Sequence, residues 1–206
     1  MAPYYPLFLD LVDKLCVVVG GGAIAERKAR GLLNAGARVR LISPEVTSAV
    51  RKLAKQRRIE VVPRAYQAGD LEGAALAIAA TNKREVNGRV REESKRLSIP
   101  LNVVDSPDLG DFIVPSVVRK GPVVVAVSTS GLLPALARRL KEEIEAALSG
   151  DYARYASRVG AFRRLVIRTV DDPARKREIL QRLSEADVSE VSRMTLKEMK
   201  KRFIDP

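Results

Sequence analysis

The sequence predicts an α/β protein: a parallel sheet with helices on both faces, then a small α+β segment, then a helical C-terminal region. Three observations predict it. Short, wholly apolar runs alternate with stretches of helical period through roughly the first hundred residues. The apolar runs then crowd together between Phe112 and Val127, at the spacing of antiparallel strands. From Asp151 onward no strand signal remains, while helix-start signals recur.

The elements follow in order. Leu15-Cys16-Val17-Val18-Val19 is an unbroken apolar run ending in glycines, the pattern of a strand buried on both faces. Ala25, Ala29, Leu32 and Leu33 then repeat at helical spacing, and Gly36 marks the stop. Arg38–Ile42 reads as the second strand, Val46, Val50, Leu53 and Ala54 as the next helix, and Ile59–Val62 as the third strand. Leu76–Ala79 gives the fourth strand, Val86, Val90 and Leu97 a further helix, and Pro100–Val104 the fifth strand. Phe112–Val114, Val117-Val118 and Val123–Val127 read as closely spaced antiparallel strands, with turn chemistry at Arg119-Lys120-Gly121-Pro122. A helix is predicted from Pro134, with proline in its first turn, to about Leu148, ended by Gly150. In the tail, Asp172-Pro173 is a cap followed by a first-turn proline, and Thr195-Leu196-Lys197-Glu198 fits a capping box. The expected division is residues 1–112, 113–149 and 150–206.

Composition narrows the function. The 206 residues are 46% hydrophobic and 30% charged, suited to a globular chain, and 4% aromatic, so Val, Leu, Ile and Ala must build the core. No apolar run approaches the ~20 residues of a membrane helix, and Met1–Asp13 lacks a basic leader before an apolar stretch. Cys16 is the single cysteine, which precludes an internal disulfide. These features favour the cytoplasm and no membrane partner. The net charge of +12 suits a solvated surface, a nucleic acid or a polyanionic small molecule. No basic segment interleaved with aromatics and no zinc-finger spacing accompanies it, so no nucleic-acid partner is expected. There is no histidine, which removes the commonest general base and metal ligand; no metal-binding residue is assigned.

The turn after the first strand carries the chemistry. Gly20, Gly22 and Ala25 fit G-x-G-x-x-A, with a strand before and an amphipathic helix after. The first glycine permits the tight turn, the second lets backbone approach a pyrophosphate, and the small third residue lets helix pack on strand. Gly20, Gly22, Ala23, Ile24 and Ala25 are therefore the expected pyrophosphate site of a Rossmann-type, dinucleotide-binding unit, with the helix dipole behind it. A plain strand-turn-helix junction is the alternative. The acid expected about 20 residues on is missing from the tip of the second strand. Ser43, Pro44 and Glu45 stand there; Glu45 suits the adenosine ribose or the N-terminus of the next helix equally. Arg38 and Arg40 nearby leave NADP open. Thr81 and Asn82, after the fourth strand, either contact the cofactor or end the strand. Arg27 and Lys28 oppose the dipole of the glycine-turn helix, which suits an anion contact or plain exposure. Cys16, inside a strand pattern, reads as core.

Several segments together resemble one family. They are Phe8–Leu11, Gly20–Ala29, Ala79-Ala80-Thr81-Asn82 with Asn87, Asn102-Val103-Val104-Asp105, Asp111–Pro115, Val125–Gly131 and Pro134–Arg138. Their order is that of precorrin-2 dehydrogenase, the dehydrogenase/ferrochelatase part of siroheme synthases, over roughly residues 5–148 and into the tail. The resemblance implies NAD as cofactor, oxidation of precorrin-2 to sirohydrochlorin and, in some members, iron insertion to give siroheme. It also implies a homodimer, with the segment after the Rossmann unit making much of the interface. The C-terminal methyltransferase domain of some relatives is not expected within these residues. One departure is Ser130-Gly131-Leu132-Leu133-Pro134, where many relatives carry two glycines and a small polar residue before the proline.

A polycarboxylate tetrapyrrole is a substrate that a basic protein would steer and hold. Gly20, Ser43, Thr81 and Asp105 all follow predicted strands and should share one rim. Dehydrogenation sends a hydride to nicotinamide and a proton to a base; without histidine, Asp105 is the expected catalytic carboxylate, as base or as substrate orienter. Capping the turn before Ser106-Pro107 is its bland alternative. Asn102, Ser128, Thr129 and Ser130 are the expected substrate contacts, with capping of the following helix the alternative for the hydroxyls. A nucleotide-sensing regulatory module without catalysis is the rival reading. It would leave Asn102–Asp105, the Ser128 segment and the helical tail without a purpose.

Overall fold

The computed structural model describes residues 4–104 and 106–205. The chain forms two compact units, Met1–Val114 and Pro115–Pro206. In the first, five strands lie parallel in the order β3-β2-β1-β4-β5: β1 (Leu15–Val19), β2 (Arg38–Ile42), β3 (Glu60–Val62), β4 (Leu76–Ala79) and β5 (Leu101–Val103). That is the predicted Rossmann-type α/β sheet. The order starts at β1, runs outward to β3, then reverses to β4 and β5. This reversal is what opens a crevice at the carboxyl ends of β1 and β4.

Alternation along each strand sends side chains to two faces. Cys16, Val18, Val39, Leu41, Leu76 and Ile78 pack with Ala25, Ala29 and Leu32 of α1 (Ala23–Asn34) and Val50 and Leu53 of α2 (Ser48–Lys55). Val17, Val19, Ile42, Ala77, Ala79, Leu101 and Val103 pack with Val90 of α3 (Arg84–Arg96) and with Tyr66, Leu71 and Ala74. The last three come from the loop between β3 and β4, so that face is covered by one helix and a folded loop. The loop is held by Arg64, whose Nη2 lies 2.6 Å from Asp70 Oδ1. It is held also by buried Glu93, which accepts the Gly69 N–H at 2.8 Å and the Tyr66 hydroxyl.

Phe112–Val114, expected as a strand, is not one. The chain around it lies on the outer edge of β5 through single contacts: Asp111 N–H to Leu101 O (2.7 Å), Leu101 N–H to Asp111 Oδ2 (3.0 Å) and Asn102 Nδ2 to Phe112 O (3.0 Å). Two of these three bonds come from side chains, so the apolar run is anchored without a ladder.

In the second unit, β6 (Ser116–Lys120) and β7 (Val123–Val127) pair antiparallel, and α4 (Pro134–Ala147) packs on them. Gly150, expected to end α4, opens α5 (Gly150–Thr169) instead. Leu148 already leaves helical geometry, and the Ser149 hydroxyl accepts the Asp151 N–H at 3.3 Å as a new cap. Then follow α6 (Pro173–Glu185), α7 (Val188–Arg193) and α8 (Leu196–Phe203). Asp172 caps α6 through Ala174 and Arg175, and Thr195 and Glu198 form the predicted capping box on α8. Phe162, Val166, Ile179, Leu183, Val191, Met199 and Phe203 bury against one another, with the Phe162 and Phe203 rings 6.0 Å apart. Among the described residues no helix is long and apolar enough to cross a membrane.

Candidate dinucleotide site

Hydrogen bonding in the sheet demands that β1 continue straight, yet the chain must turn sharply into α1. Gly20 makes the turn at φ +124°, a backbone conformation that side chains rarely adopt. A Cβ there would stand 2.3 Å from Ala80 O and 3.3 Å from Thr81 N, so the turn is pressed against the end of β4. Gly21 is pressed the other way: its Cβ would lie 1.9 Å from Glu45 O and 2.7 Å from Ser43 Oγ. Gly22 differs from both. It is exposed, and a Cβ on it would meet no atom of the described residues within 4 Å.

Gly22 is also the N-cap of α1, and among the described residues no side chain caps this helix. The first intrahelical bond is Glu26 N–H to Gly22 O at 3.0 Å, which leaves the N–H groups of Ala23, Ile24 and Ala25 without helical acceptors. Ala25 is fully buried against the sheet, as close packing at this turn requires. An uncapped helix N-terminus, three convergent donors and an open glycine fit a pyrophosphate.

The loop from β2 to α2 closes on this turn. Ser43 donates its hydroxyl to Glu45 O at 2.7 Å, and the Thr47 N–H reaches Gly21 O at 3.1 Å. The Thr47 hydroxyl donates to Glu26 Oε2 at 2.7 Å while also accepting the Val50 N–H, so one residue caps α2 and ties it to α1. Thr47 first, then Arg30, hold the Glu26 carboxyl below its ordinary range. Sequence reasoning missed this clamp; the available signal was a threonine directly before the α2 period. Pro44 and the Glu45 side chain are exposed.

Gly20, Gly22, Ala23, Ile24, Ala25, Ser43, Pro44, Glu45, Thr81 and Asn82 therefore lie along the carboxyl ends of β1, β2 and β4. Asn102, on β5, is buried; its Nδ2 donates to Phe112 O, while its Oδ1 is enclosed with no hydrogen-bond partner among the described residues. Asp105 lies outside the described residues. Ser128, Thr129 and Ser130 belong to the second unit, at the turn after β7. There the Ser128 hydroxyl accepts the Ser130 N–H at 3.0 Å and the Thr129 hydroxyl accepts the Leu133 N–H at 3.1 Å. Ser130 sits at φ +55°. No group of three or more Cys, Asp or Glu side chains arranged to hold a metal occurs among the described residues. A cleft of about 450 Å³ lined by Lys14, Leu15, Arg38, Gly73, Leu97 and Ile99 opens at the amino ends of the strands, the end where parallel sheets do not bind ligands.

Comparison with known proteins agrees with the geometry. Residues 7–116 match the family described as "Putative NAD(P)-binding". A siroheme synthase of Photobacterium profundum is 38% identical over 188 residues, covering 91% of this chain and 40% of the relative. One of Methylobacillus flagellatus is 44% identical over 161 residues, covering 78% of this chain and 34% of the relative. The chain thus spans about two fifths or less of the curated relatives it matches. Among solved structures, SirC, a precorrin-2 dehydrogenase, superposes with a TM-score of 0.80 at 26% identity, covering 98% of this chain and 100% of that one. The chain belongs to this NAD(P)-binding family, in the company of the siroheme synthases and the precorrin-2 dehydrogenase SirC.

Proposed function

We propose that this chain oxidises precorrin-2 to sirohydrochlorin with NAD as the oxidant. The observation that carries the reading is the uncapped N-terminus of α1 beneath the open Gly22. Ala23, Ile24 and Ala25 would hold the cofactor pyrophosphate through their N–H groups, with Gly20 and Gly22 shaping the cradle. When bound, NAD supplies the nicotinamide carbon that takes up the hydride. Ser43, Pro44 and Glu45 would flank the adenosine ribose, and Thr81 and Asn82 the far side of the turn. The exposed Glu45 carboxylate favours an unphosphorylated ribose, since a 2′-phosphate would meet an acid. The two arginines of β2 are committed elsewhere. Arg38, at the amino end of the strand, donates to Asp13 O at 3.0 Å, and Arg40 pairs with Glu60 at 2.9 Å. Both facts support NAD over NADP.

On the substrate side, Asn102 would act by holding the chain beyond β5 in place, since its Nδ2 donates to Phe112 O. Asp105, just beyond β5, would accept the proton that leaves as the hydride departs. Ser128, Thr129 and Ser130 would line the tetrapyrrole, and the net charge of +12 supports a polycarboxylate ligand. We assign residues 1–112 to the cofactor domain, 113–149 to dimerisation and substrate contact, and 150–206 to the helical domain. Exposure of Val117, Leu132, Leu133 and Leu136 supports a homodimer interface in the middle segment. A single buried cysteine with no disulfide partner supports a cytoplasmic setting.

Enzymatically prepared precorrin-2 mixed with the protein and NAD should yield sirohydrochlorin and NADH in equal amounts, read from their absorbance. Failure to form sirohydrochlorin under saturating NAD overturns the reading. Asp105→Ala should abolish turnover and leave NAD affinity unchanged; unchanged turnover removes Asp105 from the chemistry.

A further inference from the structure

We propose that Asn87 is a positioning residue for the cofactor, acting through the turn Thr81-Asn82; the proposal rests on the dinucleotide reading above. Asn87 is the fourth residue of α3 and is buried, on the face it shares with Val90, Glu93 and Ser94. A buried amide on a helix face needs partners, as the buried Glu93 and Ser94 on the same face have theirs, and here both ends of the amide go to one residue. Nδ2 donates to Thr81 O at 3.0 Å, and Oδ1 accepts the Thr81 hydroxyl at 3.0 Å. The same hydroxyl accepts the Lys83 N–H at 3.0 Å, which fixes the entry into α3.

This grip sets the orientation of a peptide plane. In a planar trans peptide the C=O and the next N–H point in opposite directions. Drawing Thr81 O toward α3 therefore aims the Asn82 N–H away from α3. Neither the Thr81 N–H nor the Asn82 N–H donates to a protein acceptor among the described residues, and the Asn82 side chain is exposed. The turn stands directly against the pyrophosphate cradle: Ala80 O and Thr81 N are the atoms that a Cβ on Gly20 would strike. Asn87 thus presents the unused Asn82 N–H beside the glycine turn, where the hydroxyls and phosphate oxygens of a dinucleotide are suitable acceptors. It touches no ligand itself.

The test compares Asn87→Ala, Asn87→Leu and Thr81→Val with the wild type. Asn87→Leu keeps the volume and the helix but removes both hydrogen bonds to Thr81. NAD dissociation constants come from calorimetry, and KM and kcat from the sirohydrochlorin assay. Both Asn87 variants should raise the Kd and KM for NAD about tenfold and hold kcat at saturating NAD within about twofold. Thr81→Val should raise the Kd by about threefold, and adding Asn87→Leu to it should cost less than the product of the single effects. A folded Asn87→Leu or Thr81→Val protein that binds NAD as the wild type does overturns the proposal and leaves Asn87 a packing residue. If the wild type itself fails to bind NAD, the dinucleotide reading falls first, so the two failures are distinguishable.

Discussion

Replacing Gly22 with alanine separates what the glycine turn does for folding from what it does for binding. Gly22 has extended backbone, φ −78° and ψ −175°, which alanine adopts without strain, and the added methyl meets no atom of the described residues within 4 Å. The folding cost is then the loss of a tolerable N-cap residue, about 0.5–1 kcal/mol. For a chain of this size that lowers the melting temperature by about 1–4 °C. Binding is a different matter, because the methyl enters the space that a pyrophosphate needs above the Ala23, Ile24 and Ala25 N–H groups. Forcing an extra methyl into a fitted contact costs about 1–3 kcal/mol. That corresponds to an NAD affinity weakened about 5- to 150-fold. The protein has no tryptophan, so NADH fluorescence can be titrated without that background, and calorimetry gives NAD directly. A Gly22→Ala protein that melts near the wild-type temperature and binds NAD equally well would refute the placement of the pyrophosphate over this residue.

Gly20→Ala should behave in the opposite way: a methyl 2.3 Å from a backbone carbonyl, at φ +124°, costs about 2–6 kcal/mol, visible as a large fall in melting temperature. The Glu26 carboxyl, held below 4.5 by Thr47 and then Arg30, stabilises the fold above that pH and ceases to do so as the pH falls through its lowered value. Denaturant midpoints of the wild type and Glu26→Gln should therefore differ at neutral pH and converge in acid; a constant difference would contradict the clamp. Cys16 is fully buried and its thiol is pushed up to about 11 by burial, so alkylating reagents should label it only after unfolding, as read by mass spectrometry.

The parts of this protein that local chemistry determines were legible in its sequence. Leu15–Val19 and Leu76–Ala79 appear as strands at the residues expected, because a strand buried on both faces admits almost nothing but apolar side chains, and Arg38–Ile42 does so because its arginines alternate with apolar residues. The caps at Asp172 and Thr195 were legible for a similar reason: each satisfies donors within three residues. Phe112–Val114 has a strand's composition but lies where one carboxylate and one amide hold the chain, and that depends on Asp111 reaching Leu101 and Asn102 reaching Phe112. Gly150 misled because glycine is read as a stop where a left-handed residue is needed, and the chain needs none there. The clamp from Thr47 to Glu26 links α1 to α2 through the fold, so its chemistry emerges only after β1 and β2 are side by side, whereas the grip of Asn87 on Thr81 is local but carries no capping signature that a sequence shows.

The contacts of Asp111 have a consequence for the solubility of the sheet. An edge strand invites pairing with any extended chain that arrives, in a neighbouring molecule or an aggregate. At β5 the Leu101 N–H and C=O are already taken by Asp111, whose carboxylate is itself held by Arg91 at 2.6 and 2.7 Å. An incoming strand would have to displace an ion pair and strip a charged group from water before making its first bond. At this edge the sheet ends in a charge where it could have ended in a template, which guards β5 against pairing beyond its own molecule.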